Sequence, residues 1–303
     1  MSKAEHDFPA ARAREATPRY DRAWYESAAG ALNRHGLHGL CCLDLCCGNA
    51  EFSEILRDRF GMRVTCADYA PAHLKRARSL GFDALETDLD AAAADVDRAV
   101  EPVRGAFDLV VSLATIEHVF DSDNVFSLVH RALKPGGLFL VNTPNIAFFA
   151  YRLYAAFSGN RPFDEGHHVR FWSFRFLRTN LFLNGFDVVA DERRYHVLPD
   201  VVFDRALRGR AWLGRPLTAA FQACRLLQHL PFGRDGFTDQ LTVLARRSDT
   251  PPIGFGAAAA ERHLAGLADP ADRARAVERI RAAHRRGWLG EFALLRAFAR
   301  DLA

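Results

Sequence analysis

The sequence predicts an α/β fold, a doubly wound and mostly parallel sheet of seven strands with helices on both faces. One reason is the stretch Gly39 to Leu56, where an apolar run passes through a turn of small residues straight into a helical pattern. A second is that this strand–helix alternation repeats along the chain, as a parallel sheet with crossover helices requires. A third is Phe107 to Leu113, a continuous apolar run that suits a strand covered on both faces.

Taken in order, Tyr20, Trp24, Ala28, Ala31 and Leu32 recur at helical spacing with Gly36 as a stop, which predicts a leading helix. The first strand ends at Leu45, and the helix after its turn buries Phe52, Ile55, Leu56 and Phe60 before Gly61. Arg63 to Asp68 reads as a second strand closing on a carboxylate. Pro71 to Leu80 reads as a helix stopped by Gly81, and Phe82 to Glu86 as a short third strand. Phe107 to Leu113 is the fourth. Asp121 or Asp123 caps the next helix, whose buried side is Val125, Phe126, Val129, Ala132 and Leu133 and which Pro135-Gly136-Gly137 ends. Leu138 to Asn142 is the fifth strand, Phe148 to Phe157 and Ser173 to Leu183 are helices, and Phe186 to Ala190 and Thr238 to Ala245 complete the sheet.

The expected organisation is a mobile leading segment over 1–17, a main domain over 18–249 with a helical insertion at about 200–232, and a helical C-terminal extension over 250–303. Pro251-Pro252 marks the junction to that extension, which is rich in Ala and Arg. The insertion interleaves Trp212, Leu217, Phe221 and Leu227 with arginines, a pattern that suits a lid over the site first, a homodimer contact second and a membrane-surface helix third.

Composition narrows the function classes. With 49% hydrophobic and 25% charged residues in 303, the chain can bury a sizeable core. A formal charge of +3 argues against nucleic acid as a partner, and Lys3, Lys75 and Lys134 are the only lysines, so the arginine excess follows composition bias better than phosphate binding. The first residues are charged and lack an apolar core, which reads as neither signal nor anchor, and no later run is long enough to span a bilayer. Of the six cysteines, Cys41-Cys42 and Cys46-Cys47 flank a predicted strand as pairs rather than C-x-x-C turns, and Cys66 and Cys224 stand singly, so buried reduced thiols in a cytoplasmic protein are expected instead of a zinc site.

The first turn is where a nucleoside ligand belongs, because ligands of open α/β sheets lie beyond the carboxyl ends of the strands. Asp44 in the strand end, the spacing Cys46-x-Gly48-x-Ala50 and the absence of a Lys-Ser/Thr pair distinguish this turn from dinucleotide and phosphate loops. Asp68, ending the second strand, can accept both hydroxyls of a ribose.

Leu43-Asp44-Leu45-Cys46-Cys47-Gly48-Asn49-Ala50 resembles the first motif of the class I S-adenosylmethionine-dependent methyltransferases, a Rossmann-like family, although Cys46 and Ala50 replace two of its three glycines. Asp68-Tyr69-Ala70-Pro71 is similar to the segment after their second strand, Asp88-Leu89 to their adenine-binding element, and Leu133-Lys134-Pro135-Gly136-Gly137 to the run before their fifth strand. The resemblance covers roughly residues 20 to 246. It implies that S-adenosylmethionine is bound, and S-adenosylhomocysteine released, by Asp44, Cys46, Gly48, Asn49, Ala50, Asp68, Tyr69, Asp88, Leu89 and Ser112.

Ser112-Leu113-Ala114-Thr115-Ile116-Glu117-His118-Val119 leaves the fourth strand toward the same side and looks like the E-x-x-E-H segment of ubiquinone-pathway and small-RNA O-methyltransferases, where acids and histidines hold a divalent ion. The first acid is Ala114 here, so no metal is expected, and Glu117 and His118 are assigned to the acceptor pocket. His167-His168-Val169-Arg170-Phe171 resembles a segment of methyltransferases acting on small molecules and on glycan or lipid precursors, which makes His168 or His167 the candidate general base. Phe148, Phe149, Tyr151 and Tyr154 are the candidate walls of the acceptor pocket. The implied activity is methyl transfer to a hydroxyl, amine or carbon of a small molecule; an inactive cofactor-binding module and a nucleic-acid methyltransferase are the rivals.

Overall fold

The computed structural model describes residues 18–158, 168–193, 235–254, 257–291 and residue 299. Helix α1 (Pro18–Arg34) precedes β1 (Cys41–Leu45), α2 (Glu51–Phe60), β2 (Arg63–Asp68), α3 (Pro71–Ser79), β3 (Asp83–Glu86), α4 (Ala93–Val100) and β4 (Phe107–Leu113). Then come α5 (Ser122–Ala132), β5 (Leu133–Pro144), α6 (Phe149–Ser158), α7 (Phe174–Leu183), β6 (Phe186–Asp191), β7 (Gln240–Arg247), α8 (Ala257–Gly266) and α9 (Pro270–Arg285).

The strands form one seven-stranded sheet in the order β3-β2-β1-β4-β5-β7-β6. Pairing is parallel from β3 through β5, and β7 runs antiparallel between β5 and β6. The chain winds outward in both directions from the β1–β4 pair, so the loops after these two strands diverge there and leave a crevice at their carboxyl ends.

Side-chain alternation divides the core into two layers. On one face Cys42, Leu109 and Val111 pack with Ala28 and Leu32 of α1 and Phe52, Leu56 and Phe60 of α2. On the other, Leu43, Leu45 and Val110 pack with Val96 and Val100 of α4, Phe126 and Val129 of α5 and Leu177 of α7. A third cluster joins Phe182 and Leu183 of α7 to Leu264, Ile280 and Leu289 of the C-terminal helices. Buried Arg279 ties that cluster to the sheet edge, donating to the backbone oxygens of Phe182 and Phe186 and to Asp187 Oδ1.

Three expectations about elements change. Helix α4 was not anticipated, because Ala93–Val100 is short and its buried side is only Val96 and Val100. Helix α5 ends at Ala132, and β5 already begins at Leu133, so Pro135-Gly136-Gly137 kinks a strand rather than capping a helix. The β4–β5 register slips there, and a Cβ on Gly137 would stand 2.9 Å from the Lys134 carbonyl oxygen. Of the predicted caps it is Asp121 that serves, accepting from Asp123 N. The 200–232 insertion and residues 1–17 lie outside the described residues.

Candidate active site

The first loop turns by three left-handed residues in five positions: Cys46 at φ 60°, Gly48 at 54° and Ala50 at 62°. Only Gly48 is a glycine, so Cys46 and Ala50 each hold a conformation that costs an L-residue about 1–2 kcal/mol. The surroundings hold the loop in place: Cys47 N donates to Ala67 O (3.1 Å), Gly48 N to Asp68 Oδ2 (3.0 Å) and Arg76 Nε to Asn49 O (3.0 Å). A Cβ built on Gly48 would meet no heavy atom within 4 Å, so the loop borders open space. The loop then feeds α2, with Ala50 as its left-handed N-cap residue.

Asp68 is buried and joins three segments. Besides Gly48 N, its carboxylate accepts Ala70 N at 2.9 Å and faces His73 Nδ1 at 3.2 Å, and its backbone oxygen receives Thr87 N. Two carboxylate oxygens offer about four acceptor sites, so the two backbone amides leave capacity for ribose hydroxyls. Tyr69 follows at the mouth, 46% exposed, and Leu89 is buried.

Asp44 sits elsewhere. Alternation in β1 turns it beneath α2, where Ser53 Oγ donates to its Oδ2 at 2.5 Å. Burial pushes its carboxyl up to about 6, opposed by the Ser53 hydrogen bond and reinforced by the Asp68 charge. Ser112 is fully buried in β4, and its Oγ has no hydrogen-bond partner among the described residues. Burial likewise pushes the Cys46 thiol well above its usual value, and Thr115 bonds to it, so it packs as a neutral thiol.

The loop after β3 is fixed by two side chains with no sequence signal strong enough to single them out. Asn124 Nδ2 donates to Leu89 O at 2.9 Å and Ala91 O at 3.0 Å, and Asp90 Oδ1 accepts Phe120 N at 2.7 Å. Asp88 uses Oδ1 to accept Asp90 N, closing a local turn.

Beyond β4 the backbone is again left-handed at a non-glycine, Ala114, φ 50°. Glu117 is buried, and Thr143 Oγ1 donates to its Oε2 at 2.8 Å. Its carbonyl oxygen accepts Val169 N (2.9 Å) and Arg170 N (3.1 Å), and Trp172 Nε1 donates to Ile116 O at 3.2 Å. These bonds bring His168 onto the β4 loop: the His118 and His168 rings are 4.7 Å apart at 61°. Glu117, His118 and His168 thereby present ligand atoms all within 4.8 Å of one another. Two imidazoles and one carboxylate suit proton transfer or a borderline divalent ion better than magnesium, which takes mainly oxygen ligands. His167 and the side chain of Tyr154 lie outside the described residues. Phe148 packs edge-on against both Phe149 and Tyr151, forming a small aromatic cluster after β5.

A family model described as a methyltransferase domain matches residues 10–191. The chain belongs to this methyltransferase domain family. Among curated proteins it is 33% identical over 120 residues to a ubiquinone biosynthesis O-methyltransferase of Xanthomonas oryzae, a match covering 40% of this chain and 49% of that one. It is 36% identical over 114 residues to the protein of the same name from Pseudomonas paraeruginosa, covering 37% and 47%. The chain thus spans about half the length of the curated relatives it matches. Among solved structures, a chain from the complex between the Haloferax volcanii Trm112 methyltransferase activator and its methyltransferase aligns with a TM-score of 0.54 at 19% identity, over 80% of this chain and 98% of that one. That likeness concerns the fold. Among the described residues of this methyltransferase domain, no helix is long and apolar enough to cross a membrane.

Proposed function

We propose that the protein transfers the methyl group of S-adenosylmethionine to a hydroxyl of a small molecule, leaving S-adenosylhomocysteine. The observation that carries the proposal is the pairing of two neighbouring loops: the left-handed turn bonded to Asp68, and the Glu117–His118–His168 cluster on the next strand of the sheet. The unbonded hydroxyl of Ser112 and the open space over Gly48 fit a nucleoside there. In this reading Gly48, Asn49 and Ala50 pass under the donor, Asp68 accepts the ribose hydroxyls, and Tyr69, Asp88 and Leu89 flank the adenine.

When bound, the donor supplies an already activated methyl on a sulfonium, so the protein's task is alignment of acceptor oxygen, methyl and sulfur. An alcohol or phenol must also lose its proton, and His168, backed by His118, is the group in reach of the crevice that takes it. Glu117, held by Thr143, orients the imidazoles and stabilises the imidazolium that forms. The O-methyltransferase relatives and a paired imidazole both favour oxygen over amine or carbon. This reading assigns the cluster to proton transfer rather than to a metal, and Ala114 stands where the first acid of a metal-binding segment would be.

The test is calorimetric titration with S-adenosylhomocysteine, followed by incubation with labelled donor and fractionated small-molecule extract. Saturable binding with label transferred to a hydroxyl compound is expected. Binding without transfer to any fraction would support an inactive cofactor-binding module, and absence of binding would refute the cofactor assignment.

A further inference from the structure

A cleft of about 210 Å³ opens at the far half of the sheet's carboxyl edge, with Arg152 of α6, Ser173, Phe174 and Arg175 at the start of α7, and Asp235 on its walls. It belongs to the same edge as the active site, because β6 and β5 both run antiparallel to β7 and so end on the same side. Hydrogen bonds link the walls of the two sites. Ile146 N donates to Trp172 O at 2.9 Å, and Trp172 anchors through its indole to Ile116, next to Glu117.

The charge of the cleft is unbalanced. Asp235 is matched by Arg193, whose guanidinium also pairs with Asp191 at 2.6 Å and lies 3.7 Å from the Phe174 ring centroid. Arg175 donates to a neutral group, Gly287 O at 2.8 Å, and among the described residues no acid pairs with it. Arg152 is exposed, and while its backbone N donates to Phe148 O at 3.3 Å, its guanidinium has no hydrogen bond or ion pair among the described residues. Arg178 lies 4.2 Å from the Trp288 ring centroid, and burial, then the Arg175 charge, depress its pKa. Like charges held this close are costly unless something negative offsets them. Planar guanidinium forks match the oxygens of a phosphate or carboxylate.

We infer that this cleft holds an anionic oxygen-bearing group of the methyl acceptor, phosphate or carboxylate, gripped by Arg152 and Arg175. The inference rests on the methyl-transfer reading above. The chain from His168 to Ser173 spans at most about 16 Å at about 3.3 Å per residue, so the loop that carries the candidate base and the wall of the cleft are near neighbours along one edge. The acceptor is accordingly an elongated molecule with its charge at one end.

Inorganic phosphate and acetate, each titrated into the full chain at constant ionic strength, test this. At least one should bind saturably, and the tighter of the two names the group. Arg152→Gln and Arg175→Gln should each weaken that binding about tenfold, Arg152→Lys less, with affinity for S-adenosylhomocysteine unchanged. Failure of both anions to saturate, equal binding by the Gln variants, or displacement of the anion by S-adenosylhomocysteine would each overturn the inference. If the nucleoside fails to bind while Arg152-dependent anion binding persists, the anion cleft stands and the cofactor assignment falls. If the nucleoside binds and neither anion does, the reverse holds.

Discussion

Asp68 Oδ2 accepts the backbone amide of Gly48 at 3.0 Å, so the carboxylate assigned to the ribose also sets the loop that passes beneath it. In the proposed function, donor recognition and loop shape therefore share one side chain.

Asp68→Ala is expected to weaken S-adenosylhomocysteine binding by about 1–3 kcal/mol, since the ribose loses a charged acceptor and Gly48 N its partner. Calorimetric titration measures this, with a thermal melt alongside to separate loop loosening from unfolding. An unchanged dissociation constant would remove Asp68 from the donor site.

Ala50→Gly relieves a left-handed φ of 62° at a site where Ala50 is buried but glycine needs no extra room. The entropic cost of glycine in the unfolded chain offsets part of the gain, leaving a net stabilisation of up to about 1 kcal/mol. Tm should rise by scanning calorimetry with donor binding retained or tightened. A lower Tm would mean that the Ala50 methyl packs more favourably than its backbone is strained.

Asp44 makes stability depend on pH. Its folded-state pKa is raised to about 6 from 3.8, so the protonated carboxyl is the one the fold accommodates. The contribution is fully present below 3.8, is lost as pH rises through about 6, and amounts to about 3 kcal/mol. Asp44→Asn keeps the neutral shape, so its Tm relative to the native chain should shift in its favour between pH 4 and 7 by about that measure. A gap that stays constant with pH would show that Asp44 ionises freely in the fold.

Glu117→Gln and His168→Ala should each lower methyl transfer to a hydroxyl acceptor about a hundredfold or more while leaving donor affinity intact. Chelators should leave the rate unchanged. Loss of turnover on chelation, restored by zinc or manganese, would convert Glu117, His118 and His168 from proton handlers to metal ligands.

The sequence alone determined the sheet and its cofactor end. Apolar periodicity and chain breakers act over a few residues, so β1, β2 and β4 and the position of Asp68 were readable from local pattern. The same local rules missed α4, which is short and buries only Val96 and Val100, and assigned Pro135-Gly136-Gly137 to a helix end because those residues break either kind of element. Only the tertiary structure decided the rest. Cys46 and Ala50 keep a glycine-like backbone because neighbouring strands and Asp68 bond the loop from outside. His168 meets His118 because Val169 and Arg170 donate to the Glu117 carbonyl, a contact between segments about fifty residues apart that no spacing within either segment encodes. The arginine cleft likewise draws its walls from α6, α7 and the approach to β7. Long-range convergence depends on how loops close over a packed sheet, and that is settled by the fold as a whole.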